Sequence, residues 1–161
     1  MNSLKKALSL VLVCVVFCLC LAACGGGTAK DVPVSQLADT VASAVGKSGS
    51  LAESDGMFLG LTDISADALG DHSIRTTNVG TSIDQFGIFK AGSMTTAELR
   101  DAAALYLAKL GSNTLDQSYF PEEMQKLDFA ETRVVGDYVM YCVMSEEDMA
   151  TAFKAFENAL K

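Results

Sequence analysis

Residues 138–144 constrain the fold more than any other part of the chain, because they form seven consecutive hydrophobic side chains, Tyr-Val-Met-Tyr-Cys-Val-Met. A short run of aromatic and β-branched residues between Gly136-Asp137 and Ser145 favours a strand over a helix. Side chains of a strand alternate between the two faces of a sheet, so both faces of this strand are apolar. We therefore expect a strand inside the sheet, covered on both sides.

Three helical patterns can supply that cover. Residues 34–45 carry apolar side chains at helical spacing, with Ser35 as the predicted N-cap. Thr95 and Glu98 form a capping-box signature at the start of a second helix. Ser145 is the predicted cap of a third, which has a stripe of large apolar residues at helical spacing.

The remaining patterns complete the predicted fold. Strands are predicted at residues 73–79, 82–90, 132–135 and 138–144, the last two joined by a Gly136-Asp137 turn. A single-turn helix through Ala68-Leu69 is predicted, capped by Asp63 or Ser65 and closed by Gly70, and a further short turn is predicted at residues 122–127. The order of elements predicts one α+β domain over residues 33–161. It is a small antiparallel sheet of about four strands, packed with three main helices on one or both faces.

The first 24 residues have the pattern of a secretory signal. Lys5 and Lys6 precede a long apolar stretch that ends in Leu21-Ala22-Ala23-Cys24 and three glycines. This ending resembles the bacterial lipobox, which implies that the Cys24 thiol receives a diacylglyceryl group and that residues 1–23 are then cleaved. An uncleaved transmembrane helix over residues 7–23 is one alternative, at the short limit of about 17–25 residues. An ordinary secretory signal is another.

If the pattern is a lipobox, Cys24 is the lipid-attachment residue, and residues 24–32 are the lipidated cysteine and a flexible tether. Two acyl chains, such as palmitate, anchor a protein stably to a membrane. Loss of Lys5 and Lys6 leaves ten basic and 20 acidic residues, a net charge of −10. Cys142 is then the one cysteine without lipid, so no internal disulfide is expected and the domain must rely on its apolar core.

Composition excludes several classes of function. A single histidine cannot build a multi-histidine metal centre, and no calcium-binding loop pattern is present. An excess of acidic residues disfavours nucleic acid as a partner, because phosphate contacts need positive charge. We therefore expect no metal, no cofactor and no nucleic acid.

Two residues could carry nucleophilic chemistry. His72 lies between Asp71 and Ser73, but the members of a catalytic triad converge from separate parts of a fold, so a histidine in a surface turn is the favoured interpretation. Cys142 could be a nucleophile with His72 as its base. Its position in the most apolar strand favours a core cysteine with a raised pKa.

Two acidic clusters and one glycine-flanked segment have simpler interpretations. Glu122-Glu123 and Glu146-Glu147-Asp148 stand where helices are predicted to begin, and there they favourably oppose the helix dipole. Residues 56–60, Gly-Met-Phe-Leu-Gly, lack the Lys-Ser/Thr of a phosphate-binding loop. They are predicted to be a buried connection, with an exposed hydrophobic contact site as the alternative.

Three segments resemble a bacterial lipoprotein family known as domain of unknown function 4358. They are residues 84–90 (Asp-Gln-Phe-Gly-Ile-Phe-Lys), 119–123 (Tyr-Phe-Pro-Glu-Glu) and 136–139 (Gly-Asp-Tyr-Val). The resemblance extends over residues 31–160. It implies a lipid-anchored domain on the outer face of a single membrane and an origin in Firmicutes. The family has no known activity, so no catalytic residue carries over.

Together these observations predict a membrane-anchored extracytoplasmic lipoprotein that is a non-catalytic binding or accessory module of the cell envelope. Its expected partners are membrane lipid, through the acylated Cys24, and an envelope protein or small ligand. The alternative is a small cell-envelope hydrolase that uses carboxylates or a Cys142–His72 pair.

Overall fold

The computed structural model describes residues 29–112 and 121–161, and within these ranges the chain forms five strands and seven helices. The strands are β1 (Leu51–Glu53), β2 (His72–Thr77), β3 (Gln85–Lys90), β4 (Glu131–Val135) and β5 (Tyr138–Val143). The helices are α1 (Val34–Ala44), α2 (Gly56–Thr62), α3 (Ala66–Leu69), α4 (Thr96–Gly111), α5 (Pro121–Met124), α6 (Lys126–Phe129) and α7 (Glu146–Ala159).

All five strands join one antiparallel sheet in the order β1-β2-β3-β5-β4. β5 lies between β3 and β4, and every one of its six residues is buried. The register places Phe86 of β3 opposite Cys142, and Val134 of β4 opposite Val139. The predicted internal strand is therefore confirmed.

Helices cover both faces of the sheet and create two apolar cores. The first core packs α1 and α7 against Phe86, Ile88, Met140 and Cys142. The second packs α2, α3 and α4 against the opposite face; its sheet residues are Ile74, Phe89, Val139, Tyr141 and Val143. Each large side chain that moves fully out of water contributes about 1.5–3 kcal/mol, so the two faces of β5 hold the three layers together.

The α+β class is confirmed, but two details of the prediction were wrong. The sheet has a fifth strand, β1, which is only three residues long and buries just Leu51, too little for an alternating pattern to be visible. Residues 56–60 form helix α2 instead of a connecting loop. Its Phe58 is 1% exposed, whereas Met57 is 54% exposed, so the segment has one buried and one exposed side chain.

The helix caps agree with the sequence in three places and differ in one. Thr95 and Glu98 form the predicted capping box, and Ser65 and Ser145 each accept a hydrogen bond from a backbone N–H at the start of their helix. Helix α1 instead begins directly after Pro33, with no side-chain cap, so Ser35 lies inside the helix. Proline is tolerated at this N-cap position, because the backbone N–H that it lacks would have no partner inside the helix.

Residues 30–32, which we call the strap, are bonded to the domain. The Lys30 N–H donates to the Leu160 carbonyl at 2.9 Å, and the Val32 N–H donates to the Tyr138 hydroxyl at 3.0 Å. Asp31 accepts a hydrogen bond from Lys90 Nζ at 2.6 Å. This part of the sequence-predicted tether is therefore held beside the β4–β5 turn, whereas residues 24–28 of that tether lie outside the described ranges.

Gly87 provides a test of how closely the second core is packed. A Cβ atom added at Gly87 would overlap the ring of Tyr141 on the neighbouring strand. We expect Gly87→Ala to lower the free energy of unfolding by about 1–3 kcal/mol, since the ring must move within a filled core. The measurement is chemical denaturation followed by circular dichroism.

Gly60→Ala is the matched control, because a Cβ atom at Gly60 meets nothing within 4 Å. Gly60 lies in α2, where alanine is the better helix former, so this variant should be neutral or slightly more stable. Equal destabilisation by both substitutions would contradict the packing described for Gly87.

Candidate functional site

Asp84 is a buried carboxylate immediately before β3, and two lysines hold it. It is 7% exposed, and its oxygens lie 2.5 Å from Lys47 Nζ and 2.7 Å from Lys126 Nζ. Lys47 follows α1 and Lys126 begins α6, so three distant parts of the chain meet at this carboxylate. An isolated buried charge is costly, and the two ammonium groups offset that cost.

Each lysine also contacts a second acid. Lys47 Nζ lies 3.1 Å from Asp148, and Lys126 Nζ lies 2.7 Å from Glu123. Glu123 in turn accepts a hydrogen bond from the Ile83 N–H at 3.1 Å. These five side chains, with acids and lysines alternating, are the Asp84 network.

Opposite charges decide the protonation states in the Asp84 network. Burial tends to raise the pKa of Asp84, but the hydrogen bonds and charges of Lys126 and Lys47 outweigh it and hold that pKa below its ordinary value. Burial likewise tends to raise the pKa of Glu123, but the hydrogen bond and charge of Lys126 outweigh it, and that pKa is also lowered. A carboxyl group that donates a proton at neutral pH needs a raised pKa, so these two acids are suited to ionic bonding and not to acid catalysis.

A second polar cluster adjoins the network at Gln85. Its Oε1 atom accepts hydrogen bonds from the Tyr106 hydroxyl at 2.6 Å and from the Tyr141 hydroxyl at 3.4 Å. Burial raises the pKa of Tyr106 to about 12 and also raises the pKa of Tyr141. Both phenols are therefore neutral donors near pH 7, and they satisfy the amide of a buried glutamine.

The structure separates Cys142 from His72. Cys142 is fully buried in the core between the sheet and α1 and α7, whereas the His72 ring stacks 6.4 Å from Phe89 on the opposite face of the sheet. Burial also raises the pKa of the Cys142 thiol. The core-cysteine prediction is confirmed, and the Cys142–His72 pair is not formed.

His72 was predicted to lie in a surface turn, and this was wrong. It is the first residue of β2. Its Nδ1 lies 2.8 Å from the Gly70 carbonyl and its Nε2 lies 3.6 Å from Asp55. Ser73 points elsewhere, because neighbouring side chains of a strand alternate, and its hydroxyl donates to Glu53 at 2.8 Å. The cavity beside these residues has a volume of about 170 Å³.

The acidic clusters occupy the first turns of helices, as predicted, with Glu122 and Glu123 in α5 and Glu146, Glu147 and Asp148 in α7. Sequence reasoning missed that Glu123 and Asp148 also bind lysines. Within residues 29–112 and 121–161, no group of three or more histidine, cysteine or acidic side chains could hold a metal ion. Cys24, the predicted lipid-attachment residue, lies outside the described residues.

A groove runs between β4 and α7, and we call it the β4–α7 groove. It has a volume of about 430 Å³, and apolar and charged side chains line it: Asp128, Phe129, Ala130, Glu131, Arg133, Glu146, Met149, Ala150 and Phe153. Phe129 is 47% exposed, which is unusual for a phenylalanine. Arg133 is held by Glu131 and Glu157 and stacks over the Phe153 ring.

Comparison with protein-family models matches residues 45–144 to Domain of unknown function (DUF4358), which is more than half of the chain. The chain therefore belongs to the DUF4358 family. The matched region begins after α1 and ends after β5, so it contains the whole sheet and four of the five residues of the Asp84 network. No curated protein and no solved structure matches the chain. No helix in the described part of the chain is long and apolar enough to cross a bilayer.

Asp84→Asn tests the Asp84 network. The substitution removes the negative charge that both lysines share, so we expect a loss of about 1–3 kcal/mol in the free energy of unfolding at pH 7. The folded-state pKa of Asp84 lies below its ordinary value of 3.8, so its contribution is full above that value and is lost as the pH falls. Urea denaturation at several pH values should therefore show the two proteins converging below about pH 4.

Asp101→Asn is the control for this experiment. Asp101 pairs with Arg100 at 3.2 Å, but the two side chains are 74% and 57% exposed, and such surface pairs contribute little. A loss from Asp101→Asn as large as that from Asp84→Asn would contradict the contribution assigned to the buried Asp84 carboxylate.

Proposed function

We propose that the protein is a lipid-anchored extracytoplasmic lipoprotein that serves the cell envelope as a non-catalytic binding or accessory module. The observation that carries this proposal is the lipobox-like ending Leu21-Ala22-Ala23-Cys24, which stands five residues before the first described residue, Ala29. Five residue steps separate Cys24 from Ala29, which an extended chain spans in at most about 18 Å. An acylated Cys24 would therefore keep the domain next to the membrane.

The strap also gives the anchored domain an orientation. Its partners Tyr138, Lys90 and Leu160 lie at one end of the sheet, the end that carries the β4–β5 turn. Gln85 pairs with Val143 at the other end, beside Asp84. In the proposed arrangement the turn faces the bilayer, and the Asp84 network faces away from it.

The charge of the mature chain supports a binding role for the outward surface. Ten basic and 20 acidic residues would remain after cleavage before Cys24. Anionic lipid headgroups would repel such a domain, whereas a cationic ligand or a basic protein segment would be attracted. The Asp84 network does not oppose this attraction, because its three acids outnumber its two lysines.

Substitution of Cys24 tests the anchor. We expect Cys24→Ser to abolish labelling by a palmitate analogue in bacteria that process lipoproteins, because serine cannot form the thioether. Cys20→Ser is the matched control, since it removes a thiol four residues earlier in the same apolar stretch. It should leave labelling unchanged, as read from gel fluorescence of the purified protein.

Two outcomes would refute the proposed anchor. One is labelling of the Cys24→Ser protein at the level of the unsubstituted chain. The other is an intact mass of the unsubstituted protein that still includes residues 1–23 or shows an unmodified Cys24.

A further inference from the structure

β4 is an edge strand with a free outer side. Val135 and Tyr138 flank the two-residue turn, so in an antiparallel ladder they form the hydrogen-bonded pair, and Val134 opposite Val139 forms the next, non-bonded pair. The backbone groups of Thr132 and Val134 therefore point away from β5. In the described part of the chain no backbone group bonds to this outer side.

Exposed apolar surface lies on both sides of this free edge. Val134 is 45% exposed on one side, and Phe129 is 47% exposed at the mouth of the β4–α7 groove on the other. These are two of the five large hydrophobic side chains that the described residues leave exposed. An edge strand with unpaired backbone groups and adjacent apolar pockets is the form of surface to which an extended peptide adds a strand.

The charge of the groove indicates which kind of peptide fits. Asp128, Glu131 and Glu146 line it against one cation, Arg133, which Glu131 and Glu157 already neutralise. The carboxylates of Asp128 and Glu146 have no ion-pair partner among the described residues. A lysine or arginine side chain that enters the groove would therefore meet unpaired negative charge.

We propose that the β4–α7 groove binds an extended segment of a partner protein that carries lysine or arginine residues and pairs with the outer edge of β4. This inference rests on the proposed binding role and gives it a partner class. A second copy of the chain is a poorer occupant, because it would bring a net charge of −10 against an acidic groove. In the proposed orientation the groove begins at Glu131, at the end of β4 away from the strap, so the partner can approach from outside the membrane.

The test uses the full-length protein in micelles of a non-ionic detergent and three fluorescent octapeptides. The first alternates lysine and valine, the second alternates glutamate and valine, and the third is the lysine peptide with every backbone nitrogen methylated. Fluorescence anisotropy, with empty micelles as the baseline, should show binding of the first peptide alone. The second peptide has the wrong charge, and the third cannot donate backbone hydrogen bonds to β4.

Two matched pairs of variants locate the binding site. Asp128→Asn with Glu146→Gln should raise Kd for the lysine peptide about three- to tenfold. Asp67→Asn with Glu147→Gln removes the same charges from exposed positions outside the groove and should change Kd less than about twofold.

Val134→Pro should abolish binding, because proline removes the outward N–H, whereas Val134→Thr keeps that donor and should bind. If Val134→Pro does not fold, the paired acidic variants alone decide the question.

Absence of binding by the lysine peptide would overturn the proposal. So would equal Kd values for the groove variants and their controls, or crosslinks through β4 between two copies of the chain. Labelling of Cys24 reports separately on the anchor, so failure of the groove and failure of the proposed anchor can be told apart.

Discussion

Side chains of β5 alternate between two apolar cores, and the rest of the fold depends on both being covered. Both faces of Tyr138–Val143 are apolar, and their exposure to water would be unfavourable. Helices α1 and α7 cover one face, and α2, α3 and α4 cover the other. This arrangement makes the Cys142 thiol a core side chain, and it requires Gly87 beneath the Tyr141 ring. The strand that determines the architecture thus also buries the one free thiol of the described residues, where it cannot reach a substrate in solution.

The polar groups that remain are divided between the two ends of the sheet. At one end the Asp84 network joins the residues after α1, the α5–α6 segment and the start of α7 through alternating charges. At the other end Tyr138 and Lys90 bind the strap. In the proposed function the two ends have different roles. The strap end would lie next to the membrane anchor, and the other end and the β4–α7 groove would face a partner.

Sequence patterns predicted the parts of this structure that are determined by residues close together in the chain. The run at residues 138–144, the Thr95–Glu98 capping box and the Gly136-Asp137 turn each carry their signal within a few residues. The Asp84 network was missed because Lys47 and Lys126 stand 37 and 42 residues away, and only the folded sheet brings them together. A charged residue directly before an apolar strand, as Asp84 is, was the one available hint.

The orientation of the anchored domain can be measured by energy transfer from a fluorophore to acceptor lipids in vesicles that carry the full-length protein. The fluorophore is attached through Asp137→Cys in the β4–β5 turn or through Thr81→Cys in the loop before β3, since the buried Cys142 is protected from labelling. β3 separates these sites by about 20 Å. The proposed orientation predicts clearly higher transfer from position 137; equal transfer, or higher transfer from position 81, would contradict that orientation.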